Sequence, residues 1–219
     1  ARLLDSDRRP LLIGGDCTVL IGIAAALART RPDAGLLFID GHLDCYTPET
    51  SPTGEGADME MAVLLGVGPP ALLEFGERVP AVAHERVVIL GPWDIEDAAA
   101  DGAPDPASFA PGTLVVDGGE LAKDPSGQSV SALERLAETA RGFWLHVDLD
   151  VLSCNVLAAV DYADPRGLDA DQLTAVLSPI VGSENLIGAS VVILNPNLDD
   201  ENGSGAKLVV DLLTAAIGG

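Results

Sequence analysis

The stretch Gly35-Leu36-Leu37-Phe38-Ile39-Asp40-Gly41-His42-Leu43-Asp44 decides the fold. Its first five residues form a continuous apolar run, not an alternating one, as a strand buried on both faces requires. The run then breaks into Asp and His at every second position. Arg86–Leu90 (RVVIL) and Ala189–Leu194 (ASVVIL) have the same apolar character, and Phe143–Val147 runs into Asp148 in the same way. Pro10–Gly14 and Thr113–Val116 read as short strands, and Leu186–Leu194 as the last one. Between them lie segments of helical period: Cys17–Arg29, Met59–Leu65, one near Ala71–Glu77 and the C-terminal Gly205–Ile217. Two more helices carry capping patterns, Ser131-x-x-Glu134 and Asp169-x-x-Gln172. Gly91–Pro111, with its four prolines, reads as a mobile or inserted loop. Strand–helix alternation predicts a mainly parallel sheet covered on both faces, in one domain spanning residues 1–219.

The chain has 219 residues, and 47% of them are apolar, ample for a core of that kind. With 34 acidic and 12 basic residues its formal net charge is −22. That charge excludes phosphate-backbone binding and adhesion to an anionic membrane, and no run is long and apolar enough to span a bilayer. Cys17, Cys45 and Cys154 have neither a disulfide framework nor metal-knuckle spacing, which points to a reducing, cytoplasmic setting. The opening ARLLDSDRRPLLIGGD has no secretory-signal pattern. It also lacks Met and enters a strand almost at once, so an earlier N-terminal portion is expected.

In an open parallel sheet, ligands bind beyond the carboxyl ends of the strands. Three strands end in polar residues of one kind: Gly14-Gly15-Asp16-Cys17, Asp40-Gly41-His42-Leu43-Asp44 and His146-Val147-Asp148-Leu149-Asp150. Gly14-Gly15 is no phosphate loop, because the Lys-Ser/Thr that should follow is absent. The i, i+2 spacing puts Asp40, His42 and Asp44 on one side of an extended segment, and likewise Asp148 and Asp150. At ~4 Å and an effective dielectric of about 20, each close carboxylate pair costs roughly 4 kcal/mol. Such a cluster raises its own pKa values or binds cations. Imidazole among carboxylates suits manganese, with iron, cobalt and zinc as alternatives. Paired ions activate water for hydrolysis.

These motifs resemble those of the arginase/agmatinase (ureohydrolase) family, G-G-D-H-S, D-A-H-x-D, S-x-D-x-D and V-E-x-N-P. They read here as Gly14–Thr18, Asp40–Asp44, His146–Asp150 and Val192–Pro196. The resemblance runs along nearly the whole chain, with the family's usual N-terminal strand region absent. It implies a three-layer α/β/α fold, a binuclear manganese centre and a small-molecule substrate hydrolysed at a guanidino or related C–N bond by a metal-activated hydroxide. It also implies that Asp40, His42, Asp44, Asp148 and Asp150 are five of six metal ligands, Asp40 and Asp148 bridging, with Asp16 behind them. Asp150 would orient the hydroxide. Asp94 and Glu96 fall where the family has acidic residues near the substrate's amino end.

Three positions depart from the pattern. Cys17 stands where the sixth ligand is His. A thiolate there gives, with four carboxylates, −5 against the +4 of two divalent ions; the alternative is a buried thiol at a helix start. Ile193 replaces the Glu that pairs with the guanidinium, so ordinary arginine is an unsuitable substrate. Ala57 falls near the family's proton-shuttling His. Glu55, Asp58 and Glu60 lie on that loop and could supply an acid or base, or cap the following helix. Tyr162 is placed to wall the pocket. His146 reads as a packing residue at a strand end or as a group behind the metal ligands, the two tryptophans as packing residues, and His84 as exposed in a turn. Two rival readings stay open: a non-catalytic member kept for binding or assembly, and a deacetylase-like amidase with one zinc. Metal content separates them, and a homo-oligomer is compatible with each.

Overall fold

A computed structural model describes residues 4, 8–76 and 78–218. Six strands form one all-parallel sheet: β1 (Leu11–Ile13), β2 (Gly35–Ile39), β3 (Val87–Leu90), β4 (Leu114–Val116), β5 (Phe143–Asp148) and β6 (Leu186–Val192), in the order β1-β6-β5-β2-β3-β4. The helices are α1 (Val19–Thr30), α2 (Glu60–Leu65), α3 (Pro70–Leu73), α4 (Ile95–Ala100), α5 (Pro106–Phe109), α6 (Gly118–Lys123), α7 (Pro125–Thr139), α8 (Ala170–Val181) and α9 (Ser204–Gly218).

Side chains alternate across a strand, so each apolar run feeds two cores. Leu37, Ile39, Leu145 and Val147 face Leu136 of α7, Val176 of α8 and Leu212 of α9. Leu36, Phe38, Ile89 and Trp144 face Leu20 and Leu27 of α1 and Leu64 of α2. The result is the three-layer α/β/α arrangement expected of strands apolar throughout.

From β2 the chain adds β3 and β4 outward, then returns to the other side of β2 with β5 and proceeds to β6. The gap between β2 and β5 is therefore the switch point, where a doubly wound sheet opens a crevice at its carboxyl edge.

Several local expectations are corrected. The helix expected to open at Ser131 begins at Pro125, where Asp124 caps Gly127 N at 3.1 Å. Proline at the first helical position is pre-set for that start, whereas Ser131 lies one and a half turns inside. Asp169 and Gln172 do form the reciprocal capping box, at 2.7 and 2.8 Å. Gly91–Pro111 is not an unstructured insertion, because it contains α4 and α5. The helix near Ala71–Glu77 is the single turn α3 followed by a 3-10 turn, and Glu77 lies outside the described residues. His84 is half-buried, its Nε2 3.0 Å from Leu65 O. Among the described residues no helix is long and apolar enough to cross a membrane.

Candidate metal centre

Ile39 of β2 pairs with Val147 of β5, so Asp40 and Asp148 leave adjacent strands side by side at the switch point. Asp40, Asp44, Asp148 and Asp150 are all buried. Asp40 is common to three sets of potential ligand atoms, one of them formed with Cys17 and His146. In another its carboxylate meets His42 and Asp150, with His42 Nδ1 3.2 Å from Asp150 Oδ2 and 3.6 Å from Asp40 Oδ1. In the third it lies with Cys17, Asp44 and Glu60, their ligand atoms within 4.8 Å of one another. Cys17 Sγ donates to Asp148 Oδ2 at 2.6 Å and is 3.8 Å from Asp40 Oδ2.

Strand alternation at i, i+2 does not produce this convergence. The segment after β2 is not extended: Asp40 Oδ1 accepts from His42 N at 2.7 Å, and Asp44 adopts a left-handed φ of 48°. Around Asp40, His42 groups with Asp150, and Asp44 with Cys17 and Glu60. Asp148 Oδ1 likewise accepts from Asp150 N at 2.7 Å. Gly41 stands where the resembling family has Ala; a Cβ there would lie 2.7 Å from the Asp150 carbonyl oxygen.

Electrostatically the site is short of cations. Among the described residues His42 is the only basic group paired with these carboxylates. Burial first, and then mutual repulsion, pushes the Asp40 and Asp148 carboxyls well above their usual range. Asp44 is pushed up to about 7, burial again leading. Burial opposes charge on His42, but its contacts with Asp150 and Asp40 win and raise its pKa. Cys17 is raised by burial, then by Asp148 and Glu60. A donor set of carboxylates, one imidazole and one thiol, repelling one another in a dry crevice, fits divalent metal ions.

A cavity of about 220 Å³ opens above the cluster, with Asp58, Ala57, Tyr162, Arg166 and Ile193 on its walls. Tyr162 walls the pocket as expected, its hydroxyl donating to Glu55 at 2.8 Å. Glu55 itself is exposed. It does not cap a helix, and α2 has no side-chain cap of any kind. Asp58 lines the cavity; one of its carboxylate oxygens accepts from Ser51 and Thr53, and the other is buried without a partner. Asp94 lines it too, held by Leu43 N at 2.9 Å. Glu96 does not; it is exposed, and Asp97 takes its place on the wall. Three residues along α4 bring Asp97 back to the face of Asp94, whereas two carry Glu96 away. Asp16 is also exposed and turned to Thr18 N and Oγ1, not to the cluster.

His146 is buried, stacked on Phe38 at 5.2 Å with Nδ1 2.7 Å from Ser190 Oγ. Its Nε2 has no hydrogen-bond partner among the described residues, and a ring nitrogen lies within 4.8 Å of ligand atoms of Cys17 and Asp40, so it packs beside the cluster and also borders it. Burial lowers its pKa to about 3 and keeps it neutral. Trp144 is buried in the core. Glu60, which the sequence places as an acid, base or helix cap, is fully buried against the cluster. The available signal was a single charge opening the wholly apolar run Met61–Leu65.

A doubly wound parallel sheet with a carboxylate–imidazole cluster at its switch point defines an α/β protein with a candidate metal centre. The chain belongs to the Arginase family, whose profile matches residues 1–218. The arginase of Brevibacillus brevis is 28% identical over 217 residues, covering 99% of this chain and 71% of that protein. An N(omega)-hydroxy-L-arginine amidinohydrolase of Streptomyces lavendulae is 29% identical over 207 residues, covering 94% of this chain and 68% of that protein. The crystal structure of arginase from Bacillus cereus superposes with a TM-score of 0.87 at 26% identity, over 100% of this chain and 73% of that one.

Cys17 is the departure nearest the cluster. Cys17→His is expected to tighten Mn2+ binding in calorimetric titration, since a neutral imidazole is a harder donor than a thiol already turned to Asp148. Thiol probes should label Cys17 slowly with or without Mn2+, because the side chain is 2% exposed. Unchanged Mn2+ affinity in Cys17→His would make the thiol a packing residue.

Proposed function

We propose that the protein is a metal-dependent hydrolase of a linear C–N bond in a guanidino, amidino, ureido or amide compound, using two divalent ions, most simply Mn2+. The observation that carries this reading is Asp40, shared between the His42/Asp150 group and the Cys17/Asp44 group at the sheet switch point. His42, Asp44, Asp148 and Asp150, with Asp40 bridging, would hold the ions, and Cys17 is the sixth candidate. Two ions bound there would acidify and orient a water for attack on an sp² carbon.

The chain's own groups then divide the remaining work. Asp150 fixes the His42 ring through its 3.2 Å contact. Asp58, with one unpartnered buried oxygen at the cavity wall, is better placed than Glu55 to carry a proton to the leaving amine. Asp94 faces the cavity as a contact for a polar or cationic part of the substrate. Ile193 and Ala57 are apolar positions in a wall that also carries Asp58, Asp94, Asp97 and Arg166, and Ile193 offers no carboxylate for bidentate pairing with a guanidinium. Two groups around a shared carboxylate favour two ions over the single zinc of an amidase.

The test is metal analysis together with a screen of guanidino, amidino, ureido and amide compounds for released urea, ammonia or amine. Two ions per chain with turnover of one class is expected. Two ions without turnover of any class would favour a binding role, which the apolar Ile193 and Ala57 would also fit.

A further inference from the structure

We infer that Glu60 is a metal ligand of this chain, completing the pocket formed by Cys17, Asp40 and Asp44. The assignment rests on the two-ion reading and adds a residue that the family motifs do not contain.

Glu60 opens α2, a helix whose six residues are all buried. Its carboxylate is 0% exposed, and among the described residues no N–H or hydroxyl donates to Oε1 or Oε2. The only polar side chain in hydrogen-bonding reach is the Asp44 carboxylate, itself an acceptor when ionised. A buried carboxylate is normally paired, hydrogen-bonded or bound to metal, because its desolvation is otherwise uncompensated. Capping does not explain the residue. The amides of Met61 and Ala62 already donate to Asp44 O, at 3.1 and 3.2 Å. Those bonds fasten α2 to the left-handed turn at Asp44 and hold Glu60 beside the Asp44 carboxylate. The four ligand atoms of Cys17, Asp40, Asp44 and Glu60 lie within 4.8 Å of one another, a span one ion can bridge.

Cys17 supplies the reason for a further ligand. Its sulfur is engaged with Asp148 at 2.6 Å, so the position that carries His in the resembling family offers a weak donor here. Glu60 brings two uncommitted oxygens into the same pocket. The one competing role is a protonated Glu60 sharing its hydrogen with Asp44, carboxyl to carboxyl.

Glu60→Gln separates the two roles, since the amide keeps a hydrogen donor for Asp44 and removes the anionic ligand. Metal-free wild type and variant are titrated with Mn2+ by calorimetry, and bound metal is counted after gel filtration. Wild type is expected to bind two ions. Glu60→Gln and the apolar Glu60→Leu should bind one normally and the other at least tenfold more weakly. Both metal-free variants should melt no lower than the metal-free wild type. Two ions bound by Glu60→Gln at wild-type affinities would overturn the assignment and leave the two-ion reading intact. A wild type that takes up no ion would overturn both. Anomalous scattering from wild-type crystals soaked in Mn2+ supplies a readout independent of folding in the variants. An ion in contact with Glu60 supports the assignment, and two ions placed away from it refute it.

Discussion

Stripped of divalent ions, the protein is expected to lose stability as pH rises from about 4 to about 8, and saturating Mn2+ is expected to remove or reverse that trend. The sign follows from the buried carboxyls. Asp44 keeps its proton to about 7 in the folded state against 3.8 unfolded, so the folded protein binds the extra proton between those values. Stability from this source is full below the unfolded value and is lost as pH rises through the folded one. Asp44 alone represents on the order of 4 kcal/mol, a large part of the ~5–15 kcal/mol typical of a domain.

Asp40, Asp148, Glu60 and Asp94 are raised for the same first reason, burial, and add to the trend. The raised His42 adds to it above its unfolded value of 6.5. His146 works the other way: neutral to about 3 when folded, it contributes stability that is lost as pH falls below 6.5. It is one group against several. Asp164, Asp199 and Asp200 are lowered by hydrogen bonds, and their contribution is lost only in acid below the window. Metal ions reverse the balance because they bind the deprotonated ligands and release protons. Thermal melts across pH, in chelator and in Mn2+, should diverge by roughly 10 °C or more at pH 8. Chelated protein that melts higher at pH 8 than at pH 5, and ignores Mn2+, would remove the metal centre from consideration.

The second large effect concerns Ile193. Arginine and agmatine should release little or no urea even with Mn2+ supplied. Ile193 is 7% exposed, lines the cavity, and sits where the resembling family pairs a Glu with the guanidinium. Loss of a charged hydrogen-bond partner is worth about 1.5–3 kcal/mol, or roughly 10–150-fold in affinity. Ile193→Glu should recover a gain of that size for guanidino compounds in competition binding, while weakening uncharged ligands. The backbone supports a specialised position: Ile193 has φ 73°, a left-handed conformation costing a β-branched residue roughly 1–2 kcal/mol. The strand end imposes it, since Gly14 N bonds Val191 O and Ile193 N bonds Gly15 O, at 2.9 and 3.0 Å. Wild-type turnover of arginine at rates comparable to Mn2+-loaded arginases would refute the role given to Ile193.

The layered parallel sheet, and the position of Asp40 and Asp148 at strand ends, are legible in local sequence. Apolar runs such as Gly35–Ile39 state their burial in their own composition, and Asp40 and Asp148 follow those runs directly. The Asp169/Gln172 cap was legible for the same reason, since its two partners are three residues apart. Tertiary structure alone decided what depends on distant segments. The short helices α4 and α5 lack the length to declare themselves and form where the surrounding fold supports them. Asp97 rather than Glu96 reaches the cavity because of helical phase, which the linear pattern does not show. Only the sheet order puts β2 beside β5, and so Asp40 beside Asp148. Glu60 lies twenty residues beyond Asp40, and its burial became visible only when the Asp44 turn folded α2 back over the strand ends. Proximity in space, with the desolvation it brings, converts an ordinary helix-start glutamate into part of a cation-seeking cluster.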